Sequence, residues 1–346
     1  MTERASKNPL NIVPSIRTTT LPHPPNMATP VLVFGATGAV GSACARHAHS
    51  LGATVTLAVR DTKKPIPGLS FEQEKAGGYK RVQADLTQPG TITEAVAQSG
   101  AKHAFIYLIF SPPGAPDPNR PALEALKAAG VEFVVFLSSF TVALYEPAID
   151  RVPAQEFIPY SHAQVELALQ DVFGASYVAL RPAGFASNSL RWAGMVKAGG
   201  AVKVPYPEAS FDWIVPEDIG RAGASILVGG PSSTGGKTNV LLCGPEVISQ
   251  ADAVKIIGKV VGKELGVEGV SGEEAVKVLA AGGFPEPIAR YLVKTLAANG
   301  HEGATMNAET FWGSDQYKVG VENVTKYAGK ATTLVEWATE NKGAFE

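Results

Sequence analysis

The 346-residue chain predicts an α/β fold, a doubly wound parallel sheet with a smaller, mainly helical C-terminal lobe. Three observations carry that expectation. A short β-branched run, Pro30 to Phe34, opens into the turn Gly35-Ala36-Thr37-Gly38-Ala39-Val40-Gly41 and then into a helical pattern. Strand and helix signals keep alternating as far as residue 182, which is the beat of right-handed crossovers between parallel strands. Beyond it the beat changes: 183–235 is rich in glycine, proline and aromatic residues, and 245–310 reads as mainly helical.

Taken in order, residues 1–29 hold Pro, Thr, Ser and Asn without an apolar run, so they read as a disordered tail lacking a secretory core. Arg4, Lys7 and Arg17 leave a transit-peptide reading open, and Met27 an alternative start. After the first strand, Val40, Cys44, Ala48 and Leu51 recur at helical spacing until Gly52. Thr54 to Val59 is the second strand, ending at Arg60, and Tyr79 to Ala84 the third. A helix over Thr91–Ser99, a strand over Ala104–Ile109, a helix over Pro121–Ala129 and a strand over Glu132–Leu137 follow. Ala163–Val172 is a helix, Ser176–Leu180 the sixth strand, and Asn239–Cys243 a seventh.

This pattern is that of a Rossmann domain over 30–182, with the strand at 239–243 added to its sheet. Residues 183–346 form the expected substrate lobe. In it Ile288, Tyr291, Leu292, Thr295 and Leu296 share an apolar helix face, and Leu334, Val335, Trp337 and Ala338 of a closing helix are available for burial.

Composition narrows the function. With 30 basic against 32 acidic residues and a formal charge of -2, no electrostatic footprint for nucleic acid exists. The most apolar stretch, Val131 to Tyr145, is broken by Glu132, Ser138, Ser139 and Thr141 and is too short and polar to cross a bilayer. Cys44 and Cys243 are too few for a disulfide framework and lack metal-ligand spacing, which points to a reducing, cytoplasmic compartment. His47 and His49 face about 200° apart on a helix and cannot share a metal, so none is expected.

A dinucleotide places its pyrophosphate where bare backbone amides meet the positive end of a helix, and a side chain at the turn would block it. Gly35, Gly38 and Gly41 follow a strand and open a helix, as that role demands, with Thr37, Ala39 and Val40 between them. At the end of the second strand a carboxylate would bind a free ribose hydroxyl and an arginine a 2′-phosphate. Arg60 stands there, so NADPH/NADP+ is the expected cofactor, although Asp61 follows at once. Asp85-Leu86 after the third strand is placed for the adenine ring, or Asp85 caps a helix. Phe110-Ser111-Pro112-Pro113 and Ser138-Ser139-Phe140 lie at strand C-termini, where they should line the nicotinamide end.

Further motifs accompany these: Leu126-Lys-Ala-Ala-Gly-Val before Phe136-Leu-Ser-Ser, Leu180-Arg181-Pro182, Glu217-Asp218-Ile219 and Cys243-Gly-Pro-Glu-Val-Ile-Ser. Together they resemble the NmrA-like branch of the atypical short-chain dehydrogenases, over about residues 30–345. The closing stretch Lys330 to Phe345 is similar to the tail of the fungal ergot-alkaloid dehydrogenases within that branch. The resemblance implies NADP(H) binding, used either to reduce a C=C, C=N or C=O bond of a small hydrophobic, specialised metabolite or to sense redox state through a protein partner. A non-redox isomerisation or cyclisation is a further reading, because no lysine follows Tyr160 at the fourth position.

A short-chain reductase pairs Tyr as acid with Lys four residues on. This chain has Gln164 in that place after Tyr160. Ser161-His162-Ala-Gln-Val-Glu166 resembles the family's S-K-A-E-V-E, which puts His162 where the branch has its active-site lysine. His162 is therefore read as proton donor or ribose contact, against a histidine satisfied at a helix start. Tyr160 stands between acid and packing residue, and Ser139 and Thr141 between substrate contacts and a cap at the strand end. Phe185, Asn188 and Trp192, with Tyr206, Phe211 and Trp213, form either an apolar substrate pocket or simply core. The sequence carries no signal for oligomeric state.

Overall fold

The computed structural model describes residues 28–111 and 117–346; the expected tail up to residue 27, and Pro112 and Pro113 of the loop after the fourth strand, lie outside them. The first half alternates as expected: β1 (Pro30–Phe34), α1 (Ala39–Ser50), β2 (Thr54–Val59), α2 (Phe71–Ala76), β3 (Lys80–Gln83), α3 (Pro89–Ser99), β4 (His103–Tyr107), α4 (Asn119–Ala128), β5 (Phe133–Leu137), α5 (Phe157–Phe173) and β6 (Tyr177–Pro182). Then come α6 (Ala193–Ala198), β7 (Gly200–Pro205), β8 (Ser210–Phe211), α7 (Pro216–Gly229), β9 (Asn239–Leu242), β10 (Ile248–Ser249), α8 (Gln250–Val261) and β11 (Leu265–Val270). Helices α9 (Gly272–Ala281), α10 (Glu286–Ala298), α11 (Ala308–Trp312), α12 (Asp315–Ala328) and α13 (Leu334–Glu340) close the chain.

The main sheet has the order β3-β2-β1-β4-β5-β6-β9, and every pairing in it is parallel. Val31 pairs with Val55 on one side and His103 on the other. Winding therefore reverses between β1 and β4, which opens a crevice at their C-terminal ends. Strand β1 is apolar at every inner position because both faces are covered. Val31 and Val33 pack with residues of α1, α7 and α12, while Leu32 and Phe34 pack with α3, α4 and α5. Each such buried side chain contributes roughly 1.5–3 kcal/mol.

Several elements after residue 182 return to this sheet. Helix α7 lies against α1 and under β4, β5 and β6, and α12 lies against α7 and β9. Part of the remainder gathers around Trp192, Trp213 and Trp337, while α9 and α10 pack on each other through Val276, Leu279 and Val293. It is less purely helical than its periodicity suggests: β7 and β11 form a parallel pair and β8 and β10 an antiparallel one. The glycines of β7 and β11 and the two-residue length of β8 and β10 give little strand signal.

Three local readings are corrected. Leu51, just past the end of α1, is 45% exposed and Val335 of α13 is 47% exposed, so neither joins a buried helix face. Helix α2 leaves no apolar period in the sequence, because it has only 6 residues and an exposed Phe71, and it is held by a capping box between Ser70 and Gln73. Helix α5 begins at Phe157 rather than Ala163, since Pro159 is tolerated in a first turn.

Candidate active site

The turn after β1 is shaped by two glycines. Gly35 has φ +71°, and a Cβ there would stand 2.9 Å from the ring of Tyr107 at the end of β4. A Cβ on Gly41 would run into the Gly35 carbonyl, so only glycine lets α1 start this close to the turn. Gly38 caps α1 and donates its own N–H to the Gly35 carbonyl at 2.9 Å. No side chain caps the helix and no acidic residue stands in its first turn, so its free amides present positive potential to a cleft of about 380 Å³. Thr37, Gly38, Ala39, Val40, Leu137 and Phe185 line that cleft. A tight glycine turn opening into a helix start with no side-chain cap fits a dinucleotide pyrophosphate.

Arg60, exposed at the end of β2, pairs with none of the described residues. It and Asp85 both act electrostatically on Tyr107, whose phenol is pushed up by burial, drawn down by Arg60 and pushed up again by Asp85. The tyrosine whose ring abuts Gly35 thus feels the charges of both Arg60 and Asp85. Asp61 accepts from the Lys63 N–H, and one oxygen of Asp85 accepts from the Thr87 N–H and hydroxyl, an Asx turn leading into α3. Leu86 is buried among the sheet's core residues and not open to a ligand. Ser111 is half-buried at the edge of the described loop.

A second, larger cavity of about 690 Å³ adjoins the ends of β5 and β6. Ser139 and Thr141 line it, their hydroxyls 2.9 Å apart, and so do Asn188, Tyr206 and Phe211. Phe140 stacks on Trp312 across its wall at 5.6 Å. The apolar face of α10 lines it as well, through Tyr291, Leu292, Thr295 and Leu296. Phe185 lines the glycine cleft instead, and Trp192 lines neither space. Trp192 is fully buried against Trp213, with ring centroids 5.8 Å apart, because its large apolar surface nucleates the lobe's core.

Tyr160 and His162 do not reach either space. The early start of α5 turns Tyr160 into the cluster of Val142, Leu144 and Tyr145, where it packs. His162 lies beside Phe110 and Phe136, and its Nδ1 is 2.8 Å from the carbonyl of Ile158 one turn back. Burial pushes its imidazole down to about 4, so it is neutral near pH 7 and a poor acid. Ser138 donates to Glu166 at 2.6 Å and is spoken for.

Glu166 also receives the guanidinium of Arg181 through both oxygens, at 3.0 and 2.6 Å, and Arg181 reaches Glu146 at 2.7 Å. This buried brace ties α5 to the ends of β5 and β6 and explains the Leu-Arg-Pro and final Glu of the motifs. Asp212 ties the lobe to the sheet, accepting from the N–H groups of Gly184 and Gly244 at 2.7 and 2.6 Å.

The large cavity holds two polar features that spacing could not suggest. Glu156, at the cap of α5 and only 1% exposed, has its Oε2 2.9 Å from Nδ1 of His301 and accepts from the Tyr291 hydroxyl at 3.1 Å. Burial pushes this carboxyl up, but donation from His301, the Glu302 backbone and Tyr291 outweighs it and leaves it below its ordinary value. Tyr291 and His301 both line the cavity. Arg191, next to the expected Trp192, lines it too.

The profile of the NmrA-like family matches residues 27–337. The "Nitrogen metabolite regulation-like protein bik4" of Gibberella fujikuroi is 36% identical over 320 residues, covering 88% of this chain and 94% of its own. The "(4-alkanoyl-5-oxo-2,5-dihydrofuran-3-yl)methyl phosphate reductase" of Streptomyces griseus is 26% identical, covering 91% of this chain and 99% of its own. Among solved structures, the NADPH-dependent quinone oxidoreductase QOR2 of Escherichia coli in complex with NADPH superposes with a TM-score of 0.67 at 21% identity, over 90% of this chain and 99% of that one.

Proposed function

The chain belongs to the NmrA-like family, and from that premise we propose that it is an NADPH-dependent oxidoreductase reducing a C=C, C=N or C=O bond of a small hydrophobic molecule. The observation that carries this reading is that two separate spaces are lined from the same two strand ends. Leu137 and Phe185 line the glycine cleft, while Ser139 and Gly184, their near neighbours at the ends of β5 and β6, line the larger cavity. The glycine turn would hold the dinucleotide, and the larger cavity would take the second molecule from the same strand ends.

When bound, the reduced nicotinamide supplies a hydride. The chain's own residues do the rest. Amides of the Gly35–Gly41 turn hold the pyrophosphate, and the Arg60 fork takes the 2′-phosphate. Aromatic walls from Phe140, Phe211 and Trp312 exclude water and favour a flat, conjugated acceptor. Ser139 and Thr141 orient the acceptor's heteroatom. The proton comes from His301: Glu156 engages Nδ1 and fixes the ring, which leaves Nε2 to donate.

The relative's reductase name and the quinone oxidoreductase likeness support the redox reading. A second reading, an NADP(H) sensor acting through a protein partner, draws on the name of the bik4 relative and on the missing Tyr-x-x-x-Lys pair. The deciding experiment follows NADPH oxidation by the purified protein with enones, imines, aldehydes and quinones. Turnover that drops in His301→Gln supports the reductase; nucleotide binding with no turnover on any acceptor supports the sensor.

A further inference from the structure

Arg191 is a guanidinium held in place without a countercharge. Its Nη1 donates to the Asn188 carbonyl at 3.0 Å, and its Nη2 donates to the side-chain carbonyl of Gln250. Gln250 is 1% exposed and cannot turn, because its own amide N–H donates to the Pro205 carbonyl at 2.7 Å. The guanidinium carbon lies 4.9 Å from the centre of the Trp192 ring. The residue as a whole is half-buried, and its Nε is wholly buried with no acceptor. No carboxylate among the described residues pairs with it. A guanidinium has five N–H donors, so most of this fork is unspent.

We propose that the large cavity binds substrates carrying an anionic oxygen group, a carboxylate or a phosphate, and that Arg191 is its docking point. This rests on the reductase reading for the word substrate, but not for the binding itself. A cation partly withdrawn from water, with its Nε wholly buried, ordinarily has a paired anion, and here every fixed partner is neutral. Burial alone acts on this group, lowering it to about 10, which leaves it charged at neutral pH. The acidic residues of the cavity wall, Glu208 and Glu309, are both exposed, so neither supplies the missing charge within the pocket. The apolar walls meanwhile call for a hydrophobic body. The ligand class is therefore an amphipathic acid, with a flat ring system against Phe211 and Trp312 and its anionic end on Arg191.

The test compares three probes with one ring, 2-naphthoate, 2-naphthyl phosphate and neutral 2-naphthol, titrated calorimetrically into the full chain. Saturating NADP+ keeps the glycine turn from answering for the anion. At least one anionic probe should bind about tenfold or more tightly than the naphthol, and which one does so separates carboxylate from phosphate. Arg191→Met should bring that ratio close to one, whereas Arg191→Lys should retain part of it. The ratio is internal to each protein, so a general loss of stability does not imitate the effect. An anion bound no better than naphthol by the wild type, or a preference unchanged in Arg191→Met, would overturn the proposal. Absence of NADPH turnover on every acceptor would count against the reductase reading and leave this ratio untouched.

Discussion

Glu156 and His301 are 145 positions apart in the chain and 2.9 Å apart in the fold. Tyr291 joins them through a hydroxyl 3.0 Å from the same imidazole nitrogen, so the ring is held from one side only. With the proposed proton donor in this arrangement, His301→Gln should lower kcat by about 100-fold, within the range of general acid catalysis. Glu156→Gln, which keeps the shape but weakens the acceptor, should lower it by about tenfold. KM for NADPH should be unchanged in both, because neither residue lines the glycine cleft. Steady-state kinetics with any accepted substrate checks the split; a rise in KM for NADPH at constant kcat would contradict it.

Arg60 supplies the next prediction. Its guanidinium is exposed and unpaired among the described residues, at the strand end where the adenosine ribose would lie. Arg60→Glu should weaken NADPH binding by about tenfold or more, since a charge-assisted bond is both lost and replaced by repulsion. NADH binding should change little. Fluorescence titration of both nucleotides measures the difference, and equal losses for the two would remove Arg60 from the 2′-phosphate.

The brace of Glu166 and Arg181 should matter for stability. Both side chains are almost fully buried, at 2% and 3% exposure. Glu166→Ala leaves the Arg181 guanidinium with only the partly exposed Glu146, and should cost on the order of 3–5 kcal/mol in a urea melt. Glu166→Met and Arg181→Met together should cost much less, because no charge is then stranded.

The strands and the glycine turn were legible because each strand–turn–helix unit is local in the chain. Strand, turn and helix follow one another in the chain, and the steric demands on Gly35 and Gly41 come from residues of the same turn and of the adjacent strand. Ser139, Thr141 and Asn188 were legible as cavity residues because strand C-termini converge on one crevice in this topology. His301, Glu156 and Arg191 were not. Their meaning arises from contacts across the lobe that no periodicity encodes, and Tyr291 read only as one apolar position on a helix face. Tyr160 and His162 lie away from both spaces for a different reason. Motif alignment fixed their position, but the extra helical turn before Ala163 decides where their side chains point.

His162 then makes a prediction about pH rather than turnover. Its imidazole is held down to about 4 in the folded chain from an ordinary 6.5, because burial against Phe110 and Phe136 disfavours the cation. Between these values the unfolded chain binds a proton that the folded chain does not, so stability is full above about 6.5 and is lost as pH falls. From about pH 7 to about pH 5 the loss due to this group should be on the order of 2 kcal/mol. Asp212 has the opposite sign, since burial raises its carboxyl to about 7 and folding takes up a proton there. Its effect is common to wild type and variant and cancels in their difference. His162→Gln can still donate to the Ile158 carbonyl but does not titrate, so its urea stability should fall less between the two pH values. It should also keep most of the NADPH-dependent turnover. A variant with the wild-type pH slope would mean the imidazole is not buried neutral. One with the altered slope but no turnover would return His162 to the reaction and displace His301 from it.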